Sequence, residues 1–268
     1  MTPAPHPILV TRVGEQAQTW VNALQARGLC AQTLPLLATR GVPDPSAVHQ
    51  AWQRLGAYTA VMPVSTQAVR YFFEQKPAPA HIQSAQAAPD FEYWVVGEGS
   101  RRALRAQGVD AARIVTPPSS AAQWDSEALW AVVAPRCRPG QRVLIVRGDD
   151  TDTPSTQGRG RDWLAQRLNE VGVQVDFVVA YVRGLPDWTA AERALAQSAT
   201  QAPALWLFSS SQAVVNLGHL LPEADWQHAQ ALATHPRIAQ AARALGFGRV
   251  ADCHPELARV MAFIESWP

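Results

Sequence analysis

Polar side chains that could bind a small anion recur where short apolar runs of the sequence end. The candidate binding residues are Arg12, Ser65, Ser100, Arg147, Ser209, Ser211, His235 and Arg237. In doubly wound sheets, ligands bind beyond the carboxyl ends of strands. The helix that follows each strand begins with unpaired N–H groups, which attract carboxylate or phosphate. These positions therefore predict a site for a small anion.

The same residues also have a plainer interpretation. Serine is a preferred N-cap, so helix capping alone explains each serine taken singly. His235, which precedes a proline, is typical of a structural turn histidine. A capping hydroxyl can still donate to a ligand, and both interpretations stay open.

Tyr181 is the candidate for proton chemistry. The alternation from Val173 to Val179 predicts that Tyr181 lies in line with core residues at the end of a strand, which favours packing. Its hydroxyl would then emerge at the rim of the sheet beside Arg183. A tyrosine hydroxyl, with an ordinary pKa of about 10, is protonated at neutral pH and can donate to a leaving group.

Other chemistries fit the sequence poorly. Gly97-Glu98-Gly99-Ser100 begins like a dinucleotide fingerprint, but it lacks the third glycine and does not follow the first strand. Cys30, Cys137 and Cys253 have no metal-ligand spacing and cannot all pair, which favours a reducing cytoplasm. Lys76, the only lysine, lies in a proline-containing loop, which argues against Schiff-base catalysis. We expect no cofactor and no metal.

Composition limits the class of protein further. The 268 residues, 47% of them hydrophobic, can bury two separate cores. A net charge of +1 argues against a nucleic-acid surface, and no apolar run approaches the roughly 20 residues of a membrane span. The proline-rich start lacks a basic segment followed by an apolar one, so we interpret it as a short disordered leader rather than a signal peptide. We expect a cytoplasmic protein.

Strand and helix signals alternate along the chain, which predicts α/β architecture with parallel sheets covered on both faces. The predicted strands are 8–11, 30–37, 58–64, 93–96, 113–116, 142–146, 173–182, 205–208, 230–234 and 248–253. Ten strands indicate two doubly wound units. A weak internal repeat supports this division, since Ile8–Arg12 resembles Leu144–Arg147 and Val64–Val69 resembles Ser210–Val214. A long loop is predicted over 148–160.

Seven segments, taken in their order and spacing, carry a resemblance to a known family. They are Ile8–Arg12, Gly97–Ser100, Val146–Gly148, Arg161–Leu164, Val179–Arg183, Phe208–Val214 and Thr234–Ala239. Together they resemble the uroporphyrinogen-III synthase family over nearly the whole chain. The resemblance implies two flavodoxin-like domains joined by a two-segment linker, residues 1–38 with 183–268 and residues 39–182, with five predicted strands in each. It also implies an active site in the cleft between the domains.

The family's reaction cyclises hydroxymethylbilane to uroporphyrinogen III, with inversion of ring D and loss of water, in haem biosynthesis. It needs no cofactor. The substrate has eight carboxylates, which suit helix N-termini and arginines, and the family's tyrosine falls on Tyr181, which implies a role in leaving-group protonation or positioning. The resemblance further implies a monomer that has transient contact with the enzyme supplying hydroxymethylbilane.

Departures from the family pattern put single contacts in doubt. Pro63-Val64-Ser65 stands where the family often has Phe-Thr-Ser, and Val13 stands where proline often follows the arginine.

Three alternative functions remain. The chain could be a two-domain protein of the periplasmic type that binds small anions without catalysis. It could also be a nucleotide-dependent enzyme that uses the Gly97 turn, or a regulator built on a synthase-like domain.

Overall fold

The computed structural model describes residues 6–77, 91–118, 121, 124–150 and 162–267. The chain divides into two compact units, Met1–Ala38 with Gly184–Pro268 (unit 1) and Thr39–Arg183 (unit 2). These bounds differ by one residue from those that the resemblance implies, because the chain returns to unit 1 at residue 184 rather than 183. No helix among the described residues is both long enough and apolar enough to cross a membrane.

Unit 1 contains one five-stranded sheet with helices along the connections. Its elements are β1 (Ile8–Val10), α1 (Glu15–Gln25), β2 (Ala31–Thr33), α7 (Ala190–Gln201), β9 (Leu205–Phe208), α8 (Ser211–Leu220), β10 (Gln230–Ala233), α9 (Pro236–Leu245), β11 (Arg249–Asp252) and α10 (Leu257–Glu265). The strands lie in the order β2-β1-β9-β10-β11 and every neighbouring pair is parallel. Counted within the unit this order is 2-1-3-4-5, the flavodoxin-like order.

Unit 2 contains a six-stranded sheet. Its elements are β3 (Ala38–Gly41), α2 (Ser46–Gln53), β4 (Ala60–Pro63), α3 (Thr66–Glu74), β5 (Glu92–Trp94), α4 (Glu98–Ala106), β6 (Ile114–Val115), α5 (Ser126–Val133), β7 (Arg142–Asp150), α6 (Asp162–Glu170) and β8 (Gln174–Gly184). The order is β3-β8-β7-β4-β5-β6, and the pairs from β8 to β6 are parallel.

The two sheets share one topology when the chain order of unit 2 is permuted. If β7 and β8 are counted first and β4, β5 and β6 follow, unit 2 has the same 2-1-3-4-5 order as unit 1. This equates β7 with β1 and β4 with β9, which are the pairings of the internal sequence repeat. The sheet order thus agrees with the duplicated half-unit that the sequence suggested.

Both faces of each sheet are buried, as the continuous apolar runs predicted. In β9, Trp206 and Phe208 pack into one core while Leu205 and Leu207 pack into the core on the other face. In β7 of unit 2, Leu144 packs into one core and Val143 packs into the core on the other face. Ten α-helices among the described residues cover these faces.

Several sequence predictions about the elements were wrong. Strand β3 raises the count in unit 2 to six, so the expected five strands in each unit do not hold. The sequence Pro117-Pro118-Ser119-Ser120 predicts the start of a helix, but α5 begins at Ser126, where the Asp125 carboxylate caps it by accepting from the Ala128 N–H at 2.9 Å. Strand β7 continues to Asp150, so the loop does not start at 148. The rest of that loop, 151–160, lies outside the described residues.

Helices α2 and α7 were not predicted, although α7 has a sequence signal. Thr189 and Glu192 form a capping box in which the Thr189 hydroxyl accepts from the Glu192 N–H and the Glu192 carboxylate accepts from the Thr189 N–H. The spacing Thr-x-x-Glu is the signature of this motif and indicates a helix start.

A β-bulge in β8 changes the face on which Tyr181 lies. Arg147 pairs with Val179, but Gly148 pairs with Tyr181, so one residue of β8 is extra. Tyr181 therefore packs in the same core as Val178, whereas Val173 belongs to the core on the opposite face. The prediction that Tyr181 continues the face of Val173 and Val179 was wrong, because a bulge reverses the alternation of a strand.

Gly148 is required by the position of the Tyr181 ring. A Cβ atom at residue 148 would lie 2.6 Å from Cε1 of Tyr181 and closer still to Cζ. The ring, which is 2% exposed, fills the place that a side chain at 148 would occupy. Only glycine allows this approach.

Replacing Gly148 tests this packing. Gly148→Ala is expected to lower the free energy of unfolding by about 1–3 kcal/mol, because the new methyl group must displace the ring. Gly41→Ala is the matched control, since a Cβ there would lie 3.7 Å from Cδ1 of Tyr71, an ordinary contact. We expect it to change the free energy by less than about 0.5 kcal/mol. Chemical denaturation measures both values, and equal losses would contradict the close approach.

Candidate functional site

The predicted residues of unit 1 gather where the strand order reverses, at the carboxyl ends of β1, β9 and β10, which we name the unit 1 rim. Arg12 follows β1, Ser209 follows β9, and both line one cavity of about 190 Å³ together with Thr11 and Gln16. In a doubly wound sheet this reversal point is where ligands bind. The prediction that these residues share one end of a sheet is confirmed.

Arg12 lies at this cavity as a partly buried cation. Its guanidinium stacks 3.9 Å from the ring centroid of Trp20 and donates to Oε1 of Gln16 at 3.0 Å. Burial lowers the pKa of Arg12 below its ordinary value, although a guanidinium stays protonated in proteins. No carboxylate among the side chains that the structure describes pairs with it. A partly desolvated cation of this kind is stabilised by an incoming carboxylate.

Two serine hydroxyls of the unit 1 rim are buried and make no hydrogen bond within the described part of the chain. They are the Oγ atoms of Ser209 and Ser211, and Nε of Arg12 shares this property. Ser210 is the N-cap of α8, yet its side chain makes no capping bond. Because buried polar groups are nearly always paired, these atoms are suited to contact water or a bound molecule.

His235 and Arg237 lie at the start of α9, beyond β10. Nδ1 of His235 accepts from the Arg237 N–H at 3.1 Å, so the histidine is the N-cap of the helix. This geometry is the structural role that the sequence left open. Both side chains are exposed, and the Arg237 guanidinium therefore remains accessible to solvent at the unit 1 rim.

The corresponding end of unit 2, at the carboxyl ends of β4, β5, β7 and β8, is the unit 2 rim. Ser65 caps α3 by accepting from the Ala68 N–H at 3.1 Å. The same Oγ lies 3.2 Å from the Tyr181 hydroxyl. Ser65 therefore has the capping role that the sequence predicted, and it also contacts the candidate proton donor; its donation to a ligand stays a prediction.

Contacts on several sides fix Tyr181 in place. Its ring stacks on Tyr71 with centroids 5.6 Å apart and planes 19° apart, and it covers Gly148 on the neighbouring strand. Its hydroxyl oxygen accepts from Nη2 of Arg183 at 3.1 Å. The ring is thus packed, and the hydroxyl oxygen lies within hydrogen-bond distance of Ser65 and Arg183.

Ser100 and Arg147 are also at the unit 2 rim but are more than nine-tenths buried. Ser100 lies in the first turn of α4. The Arg147 guanidinium stacks 4.4 Å from the ring centroid of Phe177, on the face of the sheet opposite to Tyr181. The structure brings Ser65 and Tyr181 together and separates Arg147 from them.

Sequence reasoning missed part of both rims. Gln16 and Arg183 contact the predicted residues directly, and Oε1 of Gln67 is a buried acceptor with no partner among the described residues. The sequence did place Arg183 beside the Tyr181 hydroxyl, but Arg183 was not among the predicted site residues. No pattern distinguished the two glutamines from ordinary helix residues.

The described residues contain no group of three or more His, Cys, Asp or Glu side chains that could hold a metal ion. Burial raises the pKa of the Cys137 thiol, and burial together with Asp252 raises that of Cys253. Since the thiolate is the reactive form, neither cysteine is set up as a nucleophile or a metal ligand.

Comparison with known proteins identifies a family whose model matches this chain. The family model for uroporphyrinogen-III synthase HemD matches residues 18–261 of the 268. The structure of uroporphyrinogen-III synthetase from Helicobacter pylori 26695 is similar with a TM-score of 0.59 at 14% identity, over 98% of this chain and 99% of that chain.

Two structures of uroporphyrinogen III synthase from Thermus thermophilus are also similar. Their TM-scores are 0.48 and 0.40, at 17% and 18% identity, and the matches cover 98% and 97% of this chain and 98% of each of those chains. The Helicobacter pylori structure supports the fold, and the family model covers nearly all of the sequence. This chain therefore belongs to the uroporphyrinogen-III synthase family.

Proposed function

We propose that this chain cyclises hydroxymethylbilane to uroporphyrinogen III and that one substrate contacts the rims of both units. Membership of the family assigns the reaction, a cyclising lyase step of haem biosynthesis. The observation that carries the location is the set of buried donors at the unit 1 rim that have no partner among the described residues. With the Tyr181 hydroxyl at the equivalent end of unit 2, these donors match the needs of a polycarboxylate that must lose water.

The substrate's carboxylates are the groups that the unit 1 rim would bind. Arg12 offers a partly desolvated guanidinium, and Ser209 and Ser211 offer hydroxyl donors. Charge-assisted hydrogen bonds of this kind are about twice as strong as neutral ones. Arg237 and the first turn of α9, behind His235, extend the same positive edge. We therefore assign carboxylate binding to these five residues.

The chemical step needs one proton donor. We assign it to Tyr181, whose hydroxyl would protonate the leaving hydroxyl of the substrate. The C–O bond breaks with its electron pair on oxygen, water departs, and the pyrrole nitrogen stabilises the resulting azafulvenium cation. The substituted α-carbon of ring D attacks this cation and becomes a quaternary spiro centre. The bond from this carbon to the methylene of ring C then breaks, and the methylene bonds instead to the free α-carbon of ring D, which inverts the ring. The proton lost from that carbon as the pyrrole regains aromaticity returns to the tyrosine oxygen. Atoms and charges then balance, and one water is released.

We assign structural or positioning roles to the remaining predicted residues. Ser65 contacts Tyr181 and begins α3, so it belongs to the proton-donating end. The Arg147 guanidinium stacks on Phe177, on the face of the sheet opposite to Tyr181, and Ser100 lies within the first turn of α4. We assign both to maintaining the unit 2 rim rather than to carboxylate binding. Because free hydroxymethylbilane closes by itself without inverting ring D, holding the substrate folded for attack at the substituted carbon is the main task of the site.

The spontaneous closure of free hydroxymethylbilane also affects how the chain would receive its substrate. We propose that the chain acts as a cytoplasmic monomer and receives its substrate through transient contact with the enzyme that makes hydroxymethylbilane. A short transfer limits the time in which the substrate can close without inversion.

The isomer formed from hydroxymethylbilane tests the proposed function. We expect isomer III to predominate when the substrate is mixed with this protein, because only a site that orients ring D gives inversion. Oxidation followed by chromatographic separation of the porphyrin isomers measures the ratio, with heat-unfolded protein as the control. Isomer I alone, formed at the rate seen without protein, would leave the chain as a binding protein without catalysis.

Tyr181→Phe tests the proton donor. We expect kcat to fall by about 10²-fold, the usual effect of losing a general acid, while circular dichroism shows an intact fold because the ring remains. Tyr58→Phe is the matched control. Tyr58 is a buried tyrosine of the same unit, and its hydroxyl donates to Asp176 at 2.9 Å, at the amino ends of β4 and β8. A kcat for Tyr181→Phe equal to that of the control would make Tyr181 a packing residue.

Arg12→Met tests carboxylate binding at the unit 1 rim. The variant keeps an apolar stem against Trp20 but loses the charge, and we expect KM to rise about tenfold or more while kcat changes little. Arg27→Met is the control, because Arg27 is an exposed arginine at the other end of α1 that pairs with Glu265 at 2.7 Å. Steady-state kinetics measure both, and an unchanged KM for Arg12→Met would remove Arg12 from the site.

A further inference from the structure

The Tyr181 hydroxyl lies between two side chains that can both donate to its oxygen. Nη2 of Arg183 donates to it at 3.1 Å, and the Ser65 hydroxyl lies 3.2 Å away. Ser65 already accepts from the Ala68 N–H, so one of its lone pairs is in use and its proton remains free to be donated. A tyrosine oxygen has two lone-pair directions, and these two neighbours can occupy both of them.

The two donors to the Tyr181 oxygen have a different purpose from the unit 1 donors, which we assign to the carboxylates of the substrate. When Tyr181 gives its proton to a leaving group, negative charge develops on the phenol oxygen. Fixed donors aimed at an atom where charge develops stabilise a transition state, and they are most effective away from bulk water. The Tyr181 ring is 2% exposed, so its oxygen depends on protein donors for this stabilisation.

We propose that Arg183 is a positioning residue for the cyclisation, and that with Ser65 it stabilises the phenolate which Tyr181 becomes after donating its proton. The inference rests on the proposed function, since it deepens the role given there to Tyr181. Arg183 acts through the tyrosine and not on a substrate carboxylate, and this distinction makes the proposal testable.

Kinetics of Arg183→Met separate the two roles. Loss of a donor to the phenol oxygen is expected to lower kcat by about 10²-fold and to leave KM within about threefold. Loss of a carboxylate contact would instead raise KM at constant kcat. Arg183→Lys keeps a cationic donor and is expected to recover part of kcat. Arg167→Met, which removes an exposed arginine paired with Glu170 at 2.8 Å, is the control expected at wild-type kcat.

A double variant shows whether the two side chains act together. If Arg183 works through Tyr181, adding Arg183→Met to Tyr181→Phe lowers kcat no further. Effects that multiply would overturn the proposal, as would an unchanged kcat in Arg183→Met. A wild-type protein that forms no isomer III would overturn the proposed function instead, and with it the catalytic role of Arg183.

Nuclear magnetic resonance supplies a readout that does not depend on turnover. The chain has four tyrosines, so protein labelled with ¹³C at tyrosine Cζ gives few signals, and Tyr181→Phe identifies the one from Tyr181. We expect Arg183→Met to shift this signal and to leave that of Tyr58 unchanged. A Tyr181 signal that does not move in a folded Arg183→Met protein would contradict the hydrogen bond on which the proposal rests.

Discussion

The Tyr181 ring occupies the space that a side chain at residue 148 would need. This steric constraint fixes the position of the tyrosine at the unit 2 rim. The bulge in β8 turns Tyr181 to the face shared with Val178, where its ring covers Gly148 and stacks on Tyr71. From there its hydroxyl reaches Ser65 and Arg183. Without the bulge the tyrosine would point to the opposite face, toward the core that contains Val173, and its hydroxyl would not reach Ser65.

The two units share one strand order, and we propose that they use it for two different tasks. In each, the strand order reverses between two strands whose carboxyl ends carry the polar residues, β1 and β9 in unit 1 and β7 and β4 in unit 2. The unit 1 rim contains buried donor atoms of Arg12, Ser209 and Ser211 that have no partner among the described residues. The unit 2 rim offers a phenol held by two neighbours. We infer that a duplicated half-unit diverged into a binding end and a proton-donating end.

Much of this could be predicted from the sequence, because apolar strands and capped helices are local signals. The strand ends near Arg12, Ser65 and Ser209 followed from such signals, and the family followed from the order and spacing of seven short segments. The bulge did not, since it depends on how β8 pairs with β7, and pairing between distant segments leaves no mark in the alternation of one strand. Strand β3 was missed for a related reason: Ala38–Gly41 has little strand propensity, and its place is set by its neighbour β8.

The central proposal is that one tetrapyrrole contacts both rims. Hydrogen exchange of the protein with and without uroporphyrinogen III, under anaerobic conditions, tests it most directly. The account predicts that a single equivalent of ligand slows exchange of backbone amides at 11–17 and 209–213 in unit 1 and at 64–68 and 97–101 in unit 2, with the same dependence on ligand concentration. Protection confined to one unit, or two transitions at different concentrations, would contradict it.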